Sequence, residues 1–294
     1  MTDADQRGVT ILIFGNNVRV LSTLLVLASL ASSGRHVAAQ SPPENRKQII
    51  STLLNSEHVA SVSFAKVADG KTILAEAYGE QSPGMPVSTA TLYNIASMSK
   101  PISAEVILRL ASAGKLSLDE PMYPYWVDPD VAADPRTRLL TPRLALEHQT
   151  GFANWRRETG GKLAFTRDPG KGFGYSGEGF QYVARFAEKK TAKPFESLAQ
   201  TLIFDPAGMT HTAYTQRPWM EGNIAQPTDK DGKWLKPQIA KQFVAADLVY
   251  TTPTQYATFV ESLMRGDGPS ARARRCQVTA DAAMRVGWPG SGML

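Results

Sequence analysis

The sequence predicts an α+β protein, and three observations support that class. An early segment alternates with period two around a tight-turn dipeptide. The runs after it repeat with helical spacing and carry helix start and stop signals. The period changes from helical in Glu44 to Ser56 to alternating across the hairpin, and back to helical after it. Composition fits a substantial core in one or two lobes, with 294 residues, 43% hydrophobic, 20% charged and 9% aromatic.

Taken in order, Glu44 to Ser56 reads as an amphipathic helix through Ile49, Ile50, Leu53 and Leu54. Val59 to Val67 and Lys71 to Tyr78 read as strands joined by Ala68-Asp69-Gly70, an Asp-Gly turn suited to a hairpin. The next helix begins near Ser97 and continues through Ile102, Val106, Ile107 and Leu110; Pro101, which has no N–H, is tolerated only in its first turn. Pro121 to Pro135, rich in proline and aspartate, reads as a surface loop with solvated acids. Thr141 to His148 reads as a short helix with proline near its start, closed by the turn Gln149-Thr150-Gly151-Phe152. Gly172 to Phe180 packs glycines around Tyr175, and such glycines let a backbone turn sharply beside a ligand. A helical pattern resumes from Phe180 to Ala187. Thr252-Pro253-Thr254-Gln255 is a capping box, followed by the apolar face of Tyr256, Phe259, Val260 and Leu263.

Three Ser-x-x-Lys pairs occur: Ser63/Lys66, Ser97/Lys100 and Ser112/Lys115. On a helix this spacing puts hydroxyl and amine on one side, within reach of proton transfer. Ser63 and Lys66 lie on the first strand, where positions i and i+3 point to opposite faces. Ser112 precedes Gly114, the expected helix stop, so Lys115 falls past the negative end. Ser97 sits near a helix N-terminus, where N–H groups and the dipole favour developing negative charge. Ser97 and Lys100 are therefore the candidate nucleophile and base.

The formal net charge is +5 and the pI near 9.2. The basic residues are dispersed apart from Arg272, Arg274 and Arg275, which reads as a solvated basic surface and not as a nucleic-acid site. Cys276 is the single cysteine, which excludes an intramolecular disulfide and a thiolate cluster. His36, His58, His148 and His211 are too scattered for a metal-ligand pattern, so neither metal nor cofactor is expected. Arg19, the apolar run Val20 to Ala31 and the small residues Val37-Ala38-Ala39 read as a signal peptide over residues 1–39. An uncleaved membrane anchor is the alternative, although the run is short for a span. The remaining domain, residues 40–294, is then expected in the periplasm or outside the cell.

Four blocks, in order, carry a resemblance: Ile95-Ala96-Ser97-Met98-Ser99-Lys100-Pro101-Ile102, Gly114 to Asp119, His148-Gln149-Thr150-Gly151-Phe152 and Tyr175-Ser176-Gly177-Glu178-Gly179-Phe180. From about Ile49 to Met264 the chain resembles the serine beta-lactamase and penicillin-binding-protein superfamily, nearest the class C beta-lactamases and their esterase and D,D-peptidase relatives. The resemblance implies a beta-lactamase/transpeptidase-like fold, an antiparallel sheet flanked by helices with an all-helical lobe. It implies an exported serine hydrolase acting on a small-molecule or peptide acyl substrate. Ser97 would be the acylated nucleophile, Lys100 its proton acceptor or relay, and Tyr175 the second base. Beside them, His148 at its helix end reads as a base or as a residue that caps carbonyls or packs, and His148, Ser176 and Gly177 are the candidate supporting or substrate-binding residues.

Two departures from the family pattern stand out. The second motif is usually Tyr-x-Asn, and here it is Tyr175-Ser176-Gly177. Gly177 cannot supply an amide contact, which favours an ester or small peptide over a beta-lactam, with Ser176 as a substitute donor. The third motif, Lys-Thr-Gly or His-x-Gly, has no match after Met264. The expectation is an incomplete C-terminus lacking its last strands, a two-strand remnant with an open edge, and a rate lowered by about 10²–10³ for one lost oxyanion donor. Two other readings stand beside this one. The first is a non-catalytic protein on the same fold that binds cell-wall peptide or a partner. The second is an α/β-hydrolase using Ser176, for which Gly174-Tyr175-Ser176-Gly177-Glu178 misses the Gly-x-Ser-x-Gly elbow at its last position.

Overall fold

The computed structural model describes residues 9–14 and 43–265. In chain order its main elements are β1 (Val9–Phe14), α1 (Pro43–Ser56), β2 (Ser61–Ala68), β3 (Lys71–Ser82), β4 (Met85–Pro86), β5 (Tyr93–Asn94), α2 (Ser99–Ser112), α3 (Pro142–Leu146), α4 (Gly177–Thr191), α5 (Phe195–Ala199), β6 (Tyr250–Thr251) and α6 (Pro253–Met264). They sort into two compact units. The first runs to Ile95 and takes in Ala207–Lys241 and Val249–Arg265; the second comprises Ala96–Pro206 and Gln242–Leu248. The stretch expected to be a signal peptide, apart from β1, the basic run Arg272 to Arg275, Cys276 and the expected loss of C-terminal strands lie outside the described residues.

The first unit is built on the hairpin. Asp69 and Gly70 sit at φ 51° and 70°, the two left-handed residues that a two-residue hairpin turn requires. The sheet has the order β1-β2-β3-β4, all antiparallel, so it is not the two-strand remnant expected above. β1 takes the edge of β2 in a register from Val9↔Val67 to Phe14↔Val62. β2 is therefore a central strand, and it is buried from Ser61 through Ala65 on both faces. Its serines survive burial because they are paired: Tyr93 Oη donates to Ser61 Oγ at 2.9 Å, and Ser63 Oγ donates to the Glu76 carbonyl at 3.2 Å. On α1, Ile50 and Leu54 pack with Val59, Val62 and Phe64 into one apolar cluster.

The capping box before α6 is half formed. Thr252 Oγ1 accepts from Gln255 N–H at 3.2 Å, but the Gln255 carboxamide accepts instead from His211 N–H at 2.8 Å. The side chain thus ties the helix start to a neighbouring loop rather than returning to Thr252. Thr252→Ala is expected to cost about 1 kcal/mol, read as a lower urea midpoint at constant slope; an unmoved midpoint would show that the cap contributes nothing. No helix among the described residues is long and apolar enough to cross a membrane.

The second unit is helical. α2 buries Ile102, Val106, Ile107 and Leu110, and α4 buries Phe180, Val183, Ala184, Phe186 and Ala187. The segment 242–248 is tied to both helices: Ser103 Oγ donates to the Ala245 carbonyl at 2.6 Å, and Ala245 N–H donates to Gln181 Oε1 at 2.8 Å. The acids of the 121–135 loop are not all solvated as expected. Asp128 and Asp130 each accept from the Arg156 guanidinium at 3.1 Å, and Asp130 also accepts from Leu163 N–H at 2.8 Å. They pin the loop to the rest of the unit.

Candidate active site

α2 starts at Ser99, two residues later than the sequence pattern suggests, because Ala96–Met98 forms a 3₁₀ turn ahead of it. Ala96 is at φ 46°, a left-handed value that a non-glycine residue adopts at a cost, and it turns the chain sharply into Ser97. The 3₁₀ turn stacked on the first α turn still places residues three apart on one side. Ser97 is exposed, whereas Lys100 beneath it retains only 5% exposure. Lys100 Nζ lies 3.0 Å from Ser97 Oγ and 3.0 Å from the Ala246 carbonyl oxygen. The buried amino group thereby has a partner on two sides, one of them the candidate nucleophile.

Aromatic groups close the rest of the site. Lys100 Nζ sits 4.6 Å from the centroid of the Tyr175 ring and 6.0 Å from that of Phe180. Tyr175 is 43% exposed. Its ring stacks on His148 at 4.5 Å, with Phe180 at 5.1 Å and Phe173 at 5.6 Å completing the cage around the imidazole. His148 Nδ1 accepts from Ser176 N–H at 3.0 Å, which leaves the ring proton on Nε2. Burial in this cage, helped by the nearby Lys100 charge, pushes the imidazole down to about 4. His148 is therefore neutral at ordinary pH, an acceptor that holds the Tyr175-Ser176 backbone.

Ser176 does not replace the missing amide. It is fully buried, and its hydroxyl donates to the Ala153 carbonyl at 2.8 Å while accepting from Gly179 N–H at 3.0 Å. It caps α4, and with its one O–H donor spent and its side chain fully buried it offers no donor to a substrate and no exposed nucleophile for an α/β-hydrolase. At Gly177 the space for a side chain is taken. A Cβ there would lie 2.7 Å from Trp155 Cη2 and 2.9 Å from Cζ3. The indole edge packs directly on the glycine.

A family model described as Beta-lactamase matches residues 46–293. The chain belongs to that family. It is 27% identical over 167 residues to Esterase EstB of Burkholderia gladioli, covering 46% of this chain and 41% of that one. It is 29% identical over 227 residues to the D-alanyl-D-alanine-carboxypeptidase/endopeptidase AmpH of Escherichia coli, covering 68% and 57%. The chain spans about half the length of the curated relatives it matches. Among solved structures, D-alanine carboxypeptidase AmpC of Burkholderia cenocepacia superposes with a TM-score of 0.66 at 24% identity, covering 78% of this chain and 67% of that one. The fold is that of penicillin-binding proteins and beta-lactamases.

Within this family fold, the structure brings Ser97, Lys100, Tyr175 and His148 together in the second unit. Ser176 and Gly177 lie beside them as helix cap and bare backbone. Sequence reasoning misses the Ala246 carbonyl, a backbone atom with no side-chain signature. It also misses Trp155, whose contact with Gly177 spans 22 positions of sequence. The one available signal for Trp155 is the glycine itself, which stands where the family pattern has asparagine.

Proposed function

We propose that the chain is an exported serine hydrolase that cleaves an ester, amide or beta-lactam bond through an acyl-enzyme at Ser97. The observation that supports this best is that Oγ of the exposed residue Ser97 lies 3.0 Å from Nζ of the buried Lys100. In the reactive form Lys100 is a free amine that takes the Ser97 hydroxyl proton as Oγ attacks the acyl carbon. The resulting ammonium keeps its bond to the Ala246 carbonyl, which accepts one of its N–H groups. The Tyr175 hydroxyl, on a ring that faces both Lys100 and solvent, hands a proton to the leaving group. It later withdraws one from the water that releases the acyl group. The positive end of α2 lies beside the forming charge. With glycine at 177, esters are the favoured class. The apolar segment ahead of Ala39 supports export.

The reading is tested by hydrolysis of p-nitrophenyl acetate. Purified chain is expected to turn it over with saturation, and Ser97→Ala to lose that turnover. Saturable binding without turnover, unaffected by Ser97→Ala, would instead mark a binding protein.

A further inference from the structure

We infer that Gln181 is a positioning residue for acylation, holding the turn whose carbonyl fixes the Lys100 amine against Ser97. The inference rests on the serine-hydrolase reading above and adds a residue to the same site.

The turn is Val244-Ala245-Ala246-Asp247, closed by Asp247 N–H donating to the Val244 carbonyl at 3.2 Å. A trans peptide points its carbonyl away from its N–H. The bond that draws Asp247 N–H toward Val244 therefore turns the Ala246 carbonyl to the other side, where Lys100 Nζ lies at 3.0 Å. Ala245 and Ala246 are fully buried, so their polar groups depend on protein partners. Ala245 finds both of its partners in side chains. Its N–H donates to Gln181 Oε1 at 2.8 Å, and its carbonyl accepts from Ser103 Oγ at 2.6 Å. Gln181 Nε2 also reaches the Phe243 carbonyl at 3.5 Å, so one carboxamide holds the turn and the residue before it.

The two side chains come from the helices that form the site. Ser103 follows Lys100 on α2, and Gln181 follows Phe180 on α4, whose ring lies 6.0 Å from Lys100 Nζ. As a free amine, Nζ has two N–H groups and one lone pair. The Ala246 carbonyl takes one N–H, which restricts rotation about the Cε–Nζ bond and keeps the lone pair within reach of the Ser97 hydroxyl. Without Gln181 Oε1 the buried Ala245 N–H loses its partner, and the turn shifts to find another, carrying the Ala246 carbonyl off Nζ.

The test is the rate at which a fluorophosphonate labels Ser97 in the full chain. Gln181→Met keeps the length of the side chain and removes the amide oxygen. At saturating reagent it is expected to label about 10-fold more slowly, with the half-saturating concentration unchanged. Gln181→Asn, one methylene too short to reach Ala245 N–H, is expected to match it and serves where the methionine variant does not fold, as judged by urea unfolding. The decisive comparison is made in the Lys100→Ala background. There Gln181→Met is expected to slow labelling by less than about 2-fold, because Gln181 acts through Lys100. A residue that merely supports the fold would slow labelling by the same factor in both backgrounds, and that result would overturn the inference. So would a wild-type labelling rate in a folded Gln181→Met or Gln181→Asn chain. If the wild-type chain itself takes no adduct, the failure lies with the serine-hydrolase reading and the inference falls with it.

Discussion

Lys100→Ala is expected to slow acylation of Ser97 by about 10³-fold, within the range typical for loss of a positioned general base. The size of the effect follows from how few groups near Ser97 Oγ can take a proton. Nζ at 3.0 Å is in direct reach, whereas His148 is already committed at Nδ1 to Ser176 N–H. Lys100→Arg separates base from charge. A guanidinium keeps the cation but cannot deprotonate in a protein, so the arginine variant is expected to be as slow as the alanine one. Second-order labelling rates with a fluorophosphonate measure both. An arginine variant near wild-type rate would show that Lys100 acts only as a charge.

The second large effect is on stability in acid. The His148 imidazole is held at about 4 in the folded protein, below the ordinary 6.5 that applies once the chain unfolds. A depressed value means that the unfolded state binds the proton first. The contribution is therefore complete above about pH 6.5 and is lost as pH falls toward 4, amounting to about 3 kcal/mol. His148→Asn is the informative control. Asparagine tolerates the positive φ of 57° at this position and its Oδ1 can accept from Ser176 N–H, but it does not titrate. Urea unfolding at several pH values is expected to show the acid decline in wild type and its absence in the variant. Equal slopes would place the decline elsewhere.

What was legible in the sequence was local. Asp69-Gly70 announces its hairpin because two left-handed residues are needed there and that dipeptide supplies them. The Ser97/Lys100 pair is legible because three positions of helical spacing bring the side chains together without help from distant chain. The helix start is displaced to Ser99 because composition does not separate a 3₁₀ turn from a first α turn. Contacts made across sequence were not legible. Tyr175 and His148 are each recognisable in their own motifs, but their stacking depends on α3 and α4 packing together. Asp128 and Asp130 look like loop acids until Arg156 is brought to them. β1 falls in a stretch that the targeting pattern claims, so no strand is expected there, although Val9-Thr10-Ile11-Leu12-Ile13-Phe14 has the β-branched and aromatic content of one.

The claim that Ser97 carries an acyl-enzyme is tested most directly by intact mass of the purified chain after exposure to a fluorophosphonate, followed by peptide mapping. The account predicts one adduct, on Ser97, lost in Ser97→Ala and slowed in Lys100→Ala. A folded chain that takes no adduct, or one labelled at another residue, would contradict it.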